Sequence, residues 1–173
     1  FYQFDDDTKG GPMHWGHATS KDLIHWEEQP IAFYPDANGA MFSGSIVADT
    51  TNSSGLFDND QGGLVALITA DGNGQRIKLA YSKDEGRTWT KLDQIAADWT
   101  DDPLQSQDFR DPKVFRWEGK WFMVVAGGPL RIYSSDNLRN WKVESTYADL
   151  HTECPDLYPL LADDGSLKWV LSR

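Results

Sequence analysis

The sequence predicts an all-β fold, and within that class a β-propeller of which about three blades are present. Three observations carry this expectation. No window longer than about 12 residues keeps apolar side chains at the i, i+3, i+4 and i+7 positions of an amphipathic helix. Clusters of Asp, Asn, Gly, Ser and Pro punctuate the chain roughly every 8–12 residues, the spacing of short strands and tight turns. One short unit also occurs three times: Ser20-Lys21-Asp22-Leu23-Ile24-His25-Trp26, Ser82-Lys83-Asp84-Glu85-Gly86-Arg87-Thr88-Trp89 and Ser134-Ser135-Asp136-Asn137-Leu138-Arg139-Asn140-Trp141 share a Ser-x-Asp turn that leads to a Trp. Trp26, Trp89 and Trp141 lie 63 and 52 positions apart, a period that fits four-stranded propeller blades better than any helical solenoid. The Asp of each turn is expected to cap its own loop backbone, a structural task. Propellers close with about 4–8 blades, so the ring is not expected to close within this chain.

In chain order, strands are expected at Gly44–Asp49, Gly63–Thr69, Arg76–Ser82, Asp111–Trp117, Lys120–Ala126, Leu130–Ser134 and Ser166–Leu171. Each is rich in β-branched or aromatic residues and bounded by turn formers. Ala70-Asp71-Gly72-Asn73-Gly74-Gln75 reads as one hairpin connection and Trp117-Glu118-Gly119-Lys120-Trp121 as another, with Gly in the turn.

The 173 residues suffice for one compact unit or a piece of a larger one, and 39% apolar with 25% charged residues places the chain among ordered globular proteins. Net charge is −11, which repels phosphate backbones and anionic lipid surfaces, so nucleic acid is not an expected partner. The longest apolar runs, Leu64 to Ile68 and Phe122 to Ala126, fall far short of the roughly 20 residues that span a bilayer, and no membrane partner is expected. A lone Cys154 excludes intrachain disulfides and multi-cysteine zinc sites while leaving the compartment open. Eight Trp and fifteen Gly suit flat apolar faces beside tight turns, a composition shared with sugar-binding surfaces.

Candidate chemistry sits in a few segments. In Phe109-Arg110-Asp111-Pro112, the proline disfavours helix at Asp111 and is expected to hold it extended at the mouth of a strand, where a propeller opens its central funnel. Neighbours in a regular strand point to opposite faces, so Arg110 and Asp111 reach one ligand only if the strand start is irregular. In Glu153-Cys154-Pro155-Asp156, apolar neighbours would raise a carboxyl pKa toward that of a general acid, which makes Glu153 the leading acid and Asp156 more simply a loop cap. Cys154 reads as a small buried apolar residue rather than a nucleophile. His14 and His17 in Met13-His14-Trp15-Gly16-His17 face opposite sides of a strand and lack a third ligand, so no metal is expected, and no cofactor. Trp15 reads as an aromatic platform for a sugar ring, and Phe42-Ser43-Gly44-Ser45 supplies an aromatic and small hydroxyls. Asp5-Asp6-Asp7 reads as a solvated loop, and Asn52-Ser53-Ser54 is a formal glycosylation acceptor.

Phe1-Tyr2-Gln3, Met13-His14-Trp15-Gly16-His17, Phe42-Ser43-Gly44-Ser45, Phe109-Arg110-Asp111-Pro112 and Glu153-Cys154-Pro155-Asp156 resemble, in order and approximate spacing, glycoside hydrolase family 32, the β-fructofuranosidases: invertases, levanases and exo-inulinases. The run from Met13 through Trp26, with Met41 to Ser45, looks more like bacterial levanases and fructan hydrolases than plant vacuolar invertases. The resemblance implies a five-bladed propeller followed by a β-sandwich, and retaining hydrolysis of β-D-fructofuranosyl linkages in fructans or sucrose. It implies Glu153 as acid/base, Asp111 as transition-state stabiliser helped by Arg110, and Gln3, Trp15, Phe42 and Ser43 as the fructosyl subsite. It also implies a secreted or cell-surface bacterial enzyme, although no signal peptide is visible. The family's nucleophile is an Asp in an Asn-Asp-Pro-Asn-Gly motif upstream of Phe-Tyr-Gln. Asp102-Pro103 and Asp111-Pro112 lack the flanking Asn, so the expectation is a partial catalytic propeller over residues 1–173, inactive alone. Two rivals remain at this point. Ser82 to Trp89 fits the Asp-box of sialidase propellers, whose arginine triad is not evident here, and a carbohydrate-binding propeller without catalysis would keep the tryptophans.

Overall fold

The computed structural model describes residues 1–5, 11–58 and 61–173, and among them every regular element is a strand. Strands β1 (Tyr2–Phe4), β2 (His14–Ser20) and β3 (Trp26–Phe33) form a first antiparallel sheet. Strands β4 (Ala40–Asp49), β5 (Gly63–Asp71), β6 (Gln75–Ser82) and β7 (Thr90–Asp98) form a second. A third contains β8 (Arg110–Trp117), β9 (Lys120–Ala126), β10 (Gly128–Ser135) and β11 (Lys142–Thr152), and β12 (Asp156–Leu161) pairs with β13 (Leu167–Ser172). Each sheet is a meander of sequential neighbours, and the sheets remain separate instead of closing on one another, which is the incomplete propeller expected. None of the described residues forms a helix long and apolar enough to cross a membrane.

The two longest apolar runs have a common cause. Along β5, Val65 and Leu67 join Ile77, Leu79, Phe109, Val114, Met123 and Val125 in a core between the second and third sheets. Ala66, Ile68 and Ala70, on the opposite face, meet Trp15, Phe33 and Met41 between the first and second. In β9, Met123 and Val125 face back while Val124 and Ala126 face Leu130 in the next core. A blade flanked on both sides buries both faces of its middle strands, so these strands are apolar throughout instead of alternating.

Strand Lys120–Ala126 lies where predicted, and the other six predicted strands match β4, β5, β6, β8, β10 and β13 to within a few residues at their ends. Strand β2 was expected only as the setting in which His14 and His17 are weighed as metal ligands, and β1, β3, β7, β11 and β12 were not expected. Of these, β3, β7 and β11 are the outer edges of their sheets, with one buried residue in β3, one in β11 and none in β7, and each interrupts its apolar residues with charged ones, so they lack a continuous apolar signal. The hairpin at Trp117–Lys120 closes through Glu118 (φ 48°) and Gly119 (φ 83°), the two left-handed residues of a type I′ turn.

The three repeated turns are alike in detail. Ser20 Oγ accepts from the Asp22 and Leu23 amides, Asp22 Oδ1 accepts from the Ile24 and His25 amides, and the Trp26 indole donates to the Leu23 carbonyl. Asp84 takes the Thr88 amide and hydroxyl, and these hydrogen bonds hold its pKa at about 2. In the third turn the capping pair is displaced by one residue from that predicted. Ser135 and Asn137 make the bonds, Asn137 Oδ1 accepting from the Arg139 and Asn140 amides, while Asp136 is 91% exposed. Counted from Ser20, Ser82 and Ser135, the fourth residue is left-handed in every turn: Leu23 (φ 63°), Glu85 (φ 61°) and Leu138 (φ 61°). An amide reproduces the acceptor role of a carboxylate, so geometry repeats where residue type does not.

The Asn52 side chain is engaged by its own loop, donating to the Phe57 carbonyl at 2.7 Å and accepting the Phe57 amide at 3.1 Å, which leaves the formal glycosylation amide occupied. Asp5 accepts the Gly11 amide at 2.7 Å, and Asp6 and Asp7 lie outside the described residues. His17 is buried and stacked on Phe1 with ring centres 4.1 Å apart, and burial pushes its pKa below the ordinary 6.5. The unfolded chain therefore binds the proton first, and the stability due to neutral His17 is complete above about pH 6.5 and lost as pH falls through it. Urea unfolding at about pH 7.5 and about pH 5.5 should show the drop, and His17→Gln should reduce it.

Candidate active site

Antiparallel connectivity puts the starts of the inner strands β4, β8 and β12 at one end of the blades and the repeated turns at the other. The predicted site segments lie at or just before these starts. In β4, Met41 opposes Ala70 and Gly44 opposes Ile68; in β8, Arg110 opposes Ala126 and Lys113 opposes Val124. Three steps on the inner strand match two on its partner, so each carries a bulge that re-aims its side chains. Phe42-Ser43 and Asp111-Pro112 thus occupy the same place in successive blades. Gly44 completes the first bulge because a Cβ there would lie 2.1 Å from the Leu67 carbonyl oxygen.

Asp111 departs from the expected extended conformation. Its φ is +58°, and the irregular strand start that would let neighbours serve one site is realised through this residue. Pro112 disfavours right-handed helix, and the left-handed alternative is held from both sides. The Asp111 amide donates to Thr69 Oγ1 at 3.0 Å, and its carboxylate Oδ2 accepts the Cys154 amide at 2.9 Å. Arg110 reaches the same chain segment, donating from Nη2 to Glu153 Oε1 at 2.5 Å and from Nη1 to Asp108 Oδ1 at 2.9 Å. Residues 110 and 111 therefore grip residues 153 and 154 side by side. Burial opposes the Arg110 charge, but Glu153 and Asp108 outweigh it and raise the guanidinium pKa.

Three expectations are corrected here. The Glu153 side chain is 68% exposed and paired with Arg110, so the apolar surroundings inferred from Cys154 and Pro155 are absent. Cys154 is exposed rather than buried. Partial desolvation and the nearby Asp111 and Glu153 carboxylates push its thiol pKa up, which keeps it protonated and a poor nucleophile. Asp156 caps no loop; it lies in β12 with Lys113 Nζ 3.0 Å from Oδ1.

A second group lies where the first and second sheets meet. Gln3 Nε2 donates to the Met41 carbonyl at 3.1 Å, and Trp15 Nε1 to the Phe42 carbonyl at 2.8 Å. Phe1, Gln3, Trp15, Ser43 and Ile46 border a cavity of about 330 Å³. Trp15 exposes only 4% of its surface and packs edge-on against Phe33, so its ring forms a wall of this cavity instead of an open platform. The two groups are joined across the inner strands by the Thr69–Asp111 bond and by the Val114 amide donating to Ser45 Oγ at 2.9 Å. A larger cavity of about 590 Å³ lies at the far end, between the first two repeated turns, and none of the predicted site residues borders it.

Sequence reasoning missed the supports of this arrangement. Gln75 Oε1 accepts both the Phe109 amide at 2.9 Å and Arg110 Nη1 at 3.1 Å, and Thr69 is fully buried. Thr69 had a readable signal, a polar residue ending the apolar run Leu64–Ile68 of a two-faced strand. Gln75 had none.

Carboxylates gathered at the inner-strand starts of a propeller suit the acid–base cleavage of a glycosidic bond, the chemistry of glycoside hydrolases. The chain belongs to glycosyl hydrolase family 32: residues 1–172 match the model of the family's N-terminal domain. It is 74% identical to a fructan β-fructosidase of Streptococcus mutans over 173 residues, all of this chain and 12% of that protein. It is 43% identical to a levanase of Bacillus subtilis over 188 residues, 99% of this chain and 27% of that one. Among solved structures, the β-fructofuranosidase of Schwanniomyces occidentalis complexed with fructosyl-erythritol superposes with a TM-score of 0.78 at 37% identity, over 94% of this chain and 34% of that one. Family membership removes the sialidase alternative.

Proposed function

We propose that the chain is part of the catalytic propeller of a β-fructosidase, secreted or held at a bacterial cell surface, that releases fructose from the ends of levan or inulin, or from sucrose, with retention of configuration. The observation that carries this reading is the joining of the Arg-Asp-Pro and Glu-Cys-Pro segments through the Arg110–Glu153 pair and the Asp111–Cys154 bond. In this reading Glu153 protonates the leaving oxygen and later takes the proton of the attacking water; its exposed carboxyl can exchange protons with solvent between turnovers. Asp111, held by a backbone amide, binds fructosyl hydroxyls and stabilises the oxocarbenium-like transition state with Arg110 beside it. Gln3, Trp15, Phe42 and Ser43 line the fructosyl subsite. Retention requires a second carboxylate about 5–5.5 Å from the acid, the part that the Asp of an Asn-Asp-Pro-Asn-Gly motif plays in the resemblance described above.

Incubation of the full-length enzyme with sucrose, inulin and levan should release fructose, with the β-anomer detected first by NMR. No fructose from any of the three, or the α-anomer first, would overturn the reading.

A further inference from the structure

Two pieces of backbone surround Arg110: the stretch leading to it from Asp108, and the turn from Ala126 to Pro129. Gly127 (φ +78°) lies so close that a Cβ there would come within 2.3 Å of Arg110 Cγ and 3.1 Å of Cζ. The Gly127 amide donates to the Thr152 carbonyl at 3.0 Å, and Gly128 is the register partner of Thr152, the residue before Glu153. Both members of the Arg110–Glu153 pair are therefore seated on one turn.

That turn is held by a single buried side chain. Arg131 on β10 is completely inaccessible, and its Nη1 donates to the carbonyls of Pro129 at 2.6 Å, Asp108 at 3.3 Å and Ala126 at 3.5 Å. Its Nε lies 3.2 and 3.1 Å from Asp102 Oδ1 and Oδ2, and its Nη2 lies 2.9 Å from Oδ2. The Phe109 ring lies 5.1 Å from the guanidinium carbon. Asp102 is as fully enclosed as Arg131.

We propose that Arg131, with Asp102 as its counter-ion, is a positioning residue that locks the Asp108 carbonyl and the Ala126–Pro129 turn together and so sets the geometry of the Arg110–Glu153 pair. This inference rests on the reading of Glu153 as the acid. A buried ion pair is generally no better for stability than well-packed apolar residues of the same volume, so stability alone gives no reason for one here. A planar guanidinium has five N–H donors in a fixed fork, enough to hold a carboxylate and the carbonyls of two backbone segments at once, whereas a lysine ammonium has three.

The test uses the full-length enzyme with two substrates, sucrose, whose leaving group needs a proton, and a nitrophenyl β-fructofuranoside, whose leaving group does not. Asp102→Leu/Arg131→Met removes the lock while retaining apolar packing, and Gly127→Ala displaces Arg110 without touching the buried pair. Glu153→Gln is the reference. Rates are normalised to the folded fraction from circular dichroism. Both variants should shift the ratio of kcat/KM values, which reports the leaving-group step and not the shared hydrolysis of the intermediate, toward the nitrophenyl substrate, as Glu153→Gln does, with a loss on sucrose of up to about 10²-fold. A purely structural role would lower both rates equally, and an unchanged ratio in Gly127→Ala and in any folded double variant overturns the proposal. If the double variant does not fold, Arg131→Lys, which keeps the charge but loses the planar fork, takes its place, and an unchanged ratio there overturns the proposal. If Glu153→Gln itself leaves the ratio unchanged, the assignment of the acid has failed and the positioning role falls with it. A shift for Glu153→Gln without one for the lock variants defeats the positioning role only.

Discussion

Glu153→Gln in the full-length enzyme is expected to cut kcat on sucrose or fructan by about 10²–10⁴-fold, the contribution of a general acid, with KM changed far less. The amide keeps the size and exposure of Glu153 and can still accept from Arg110, so substrate binding survives while proton delivery does not. Deglycosylation also loses its base. Azide needs no base and should restore turnover of an activated fructoside as fructosyl azide of retained β configuration. Asp111→Asn transfers no proton in this scheme and should not respond to azide. Rescue of Asp111→Asn with none for Glu153→Gln would show that the two roles are reversed.

Arg131→Met is expected to destabilise the domain by about 3–5 kcal/mol, because it leaves the enclosed Asp102 carboxylate without its counter-ion, with the Leu104 amide and the Tyr133 hydroxyl as its remaining donors, and removes the donor of three carbonyls. Pairing it with Asp102→Leu should return much of that loss, giving strongly non-additive denaturation midpoints at nearly constant slope. A single variant within about 1 kcal/mol of wild type would mean that water reaches the pair.

The readable parts of the molecule were those written in local pattern. Two-faced strands such as β5 and β9 announce themselves because both faces are buried, and the hairpin at Glu118-Gly119 because left-handed residues are required there. Outer strands β3, β7 and β11 were silent because solvent makes no demand on their composition. At the site, the motif segments were visible but their surroundings were not. The character of Glu153 was judged from Cys154 and Pro155, yet it is set by Arg110, 43 residues away in sequence. The pairing of Arg131 with Asp102 was not legible, because nothing local to either residue reveals a partner 29 residues distant.

The unequal faces of the middle strands also bear on how the blades find their order. Ala66, Ala70 and Ala80 leave one side of the second blade shallow and, with Ile68 and Met41 of the same blade, fitted to the bulky Trp15 and Phe33 of the first sheet, while Val65, Leu67, Ile77 and Leu79 make the other side deep. Two copies of that blade laid shallow face to shallow face would leave a void, and deep face to deep face would collide. Mispairing between chains, the characteristic failure of repeated architectures, is thereby made unfavourable at the moment of synthesis, when neighbouring nascent copies are most concentrated.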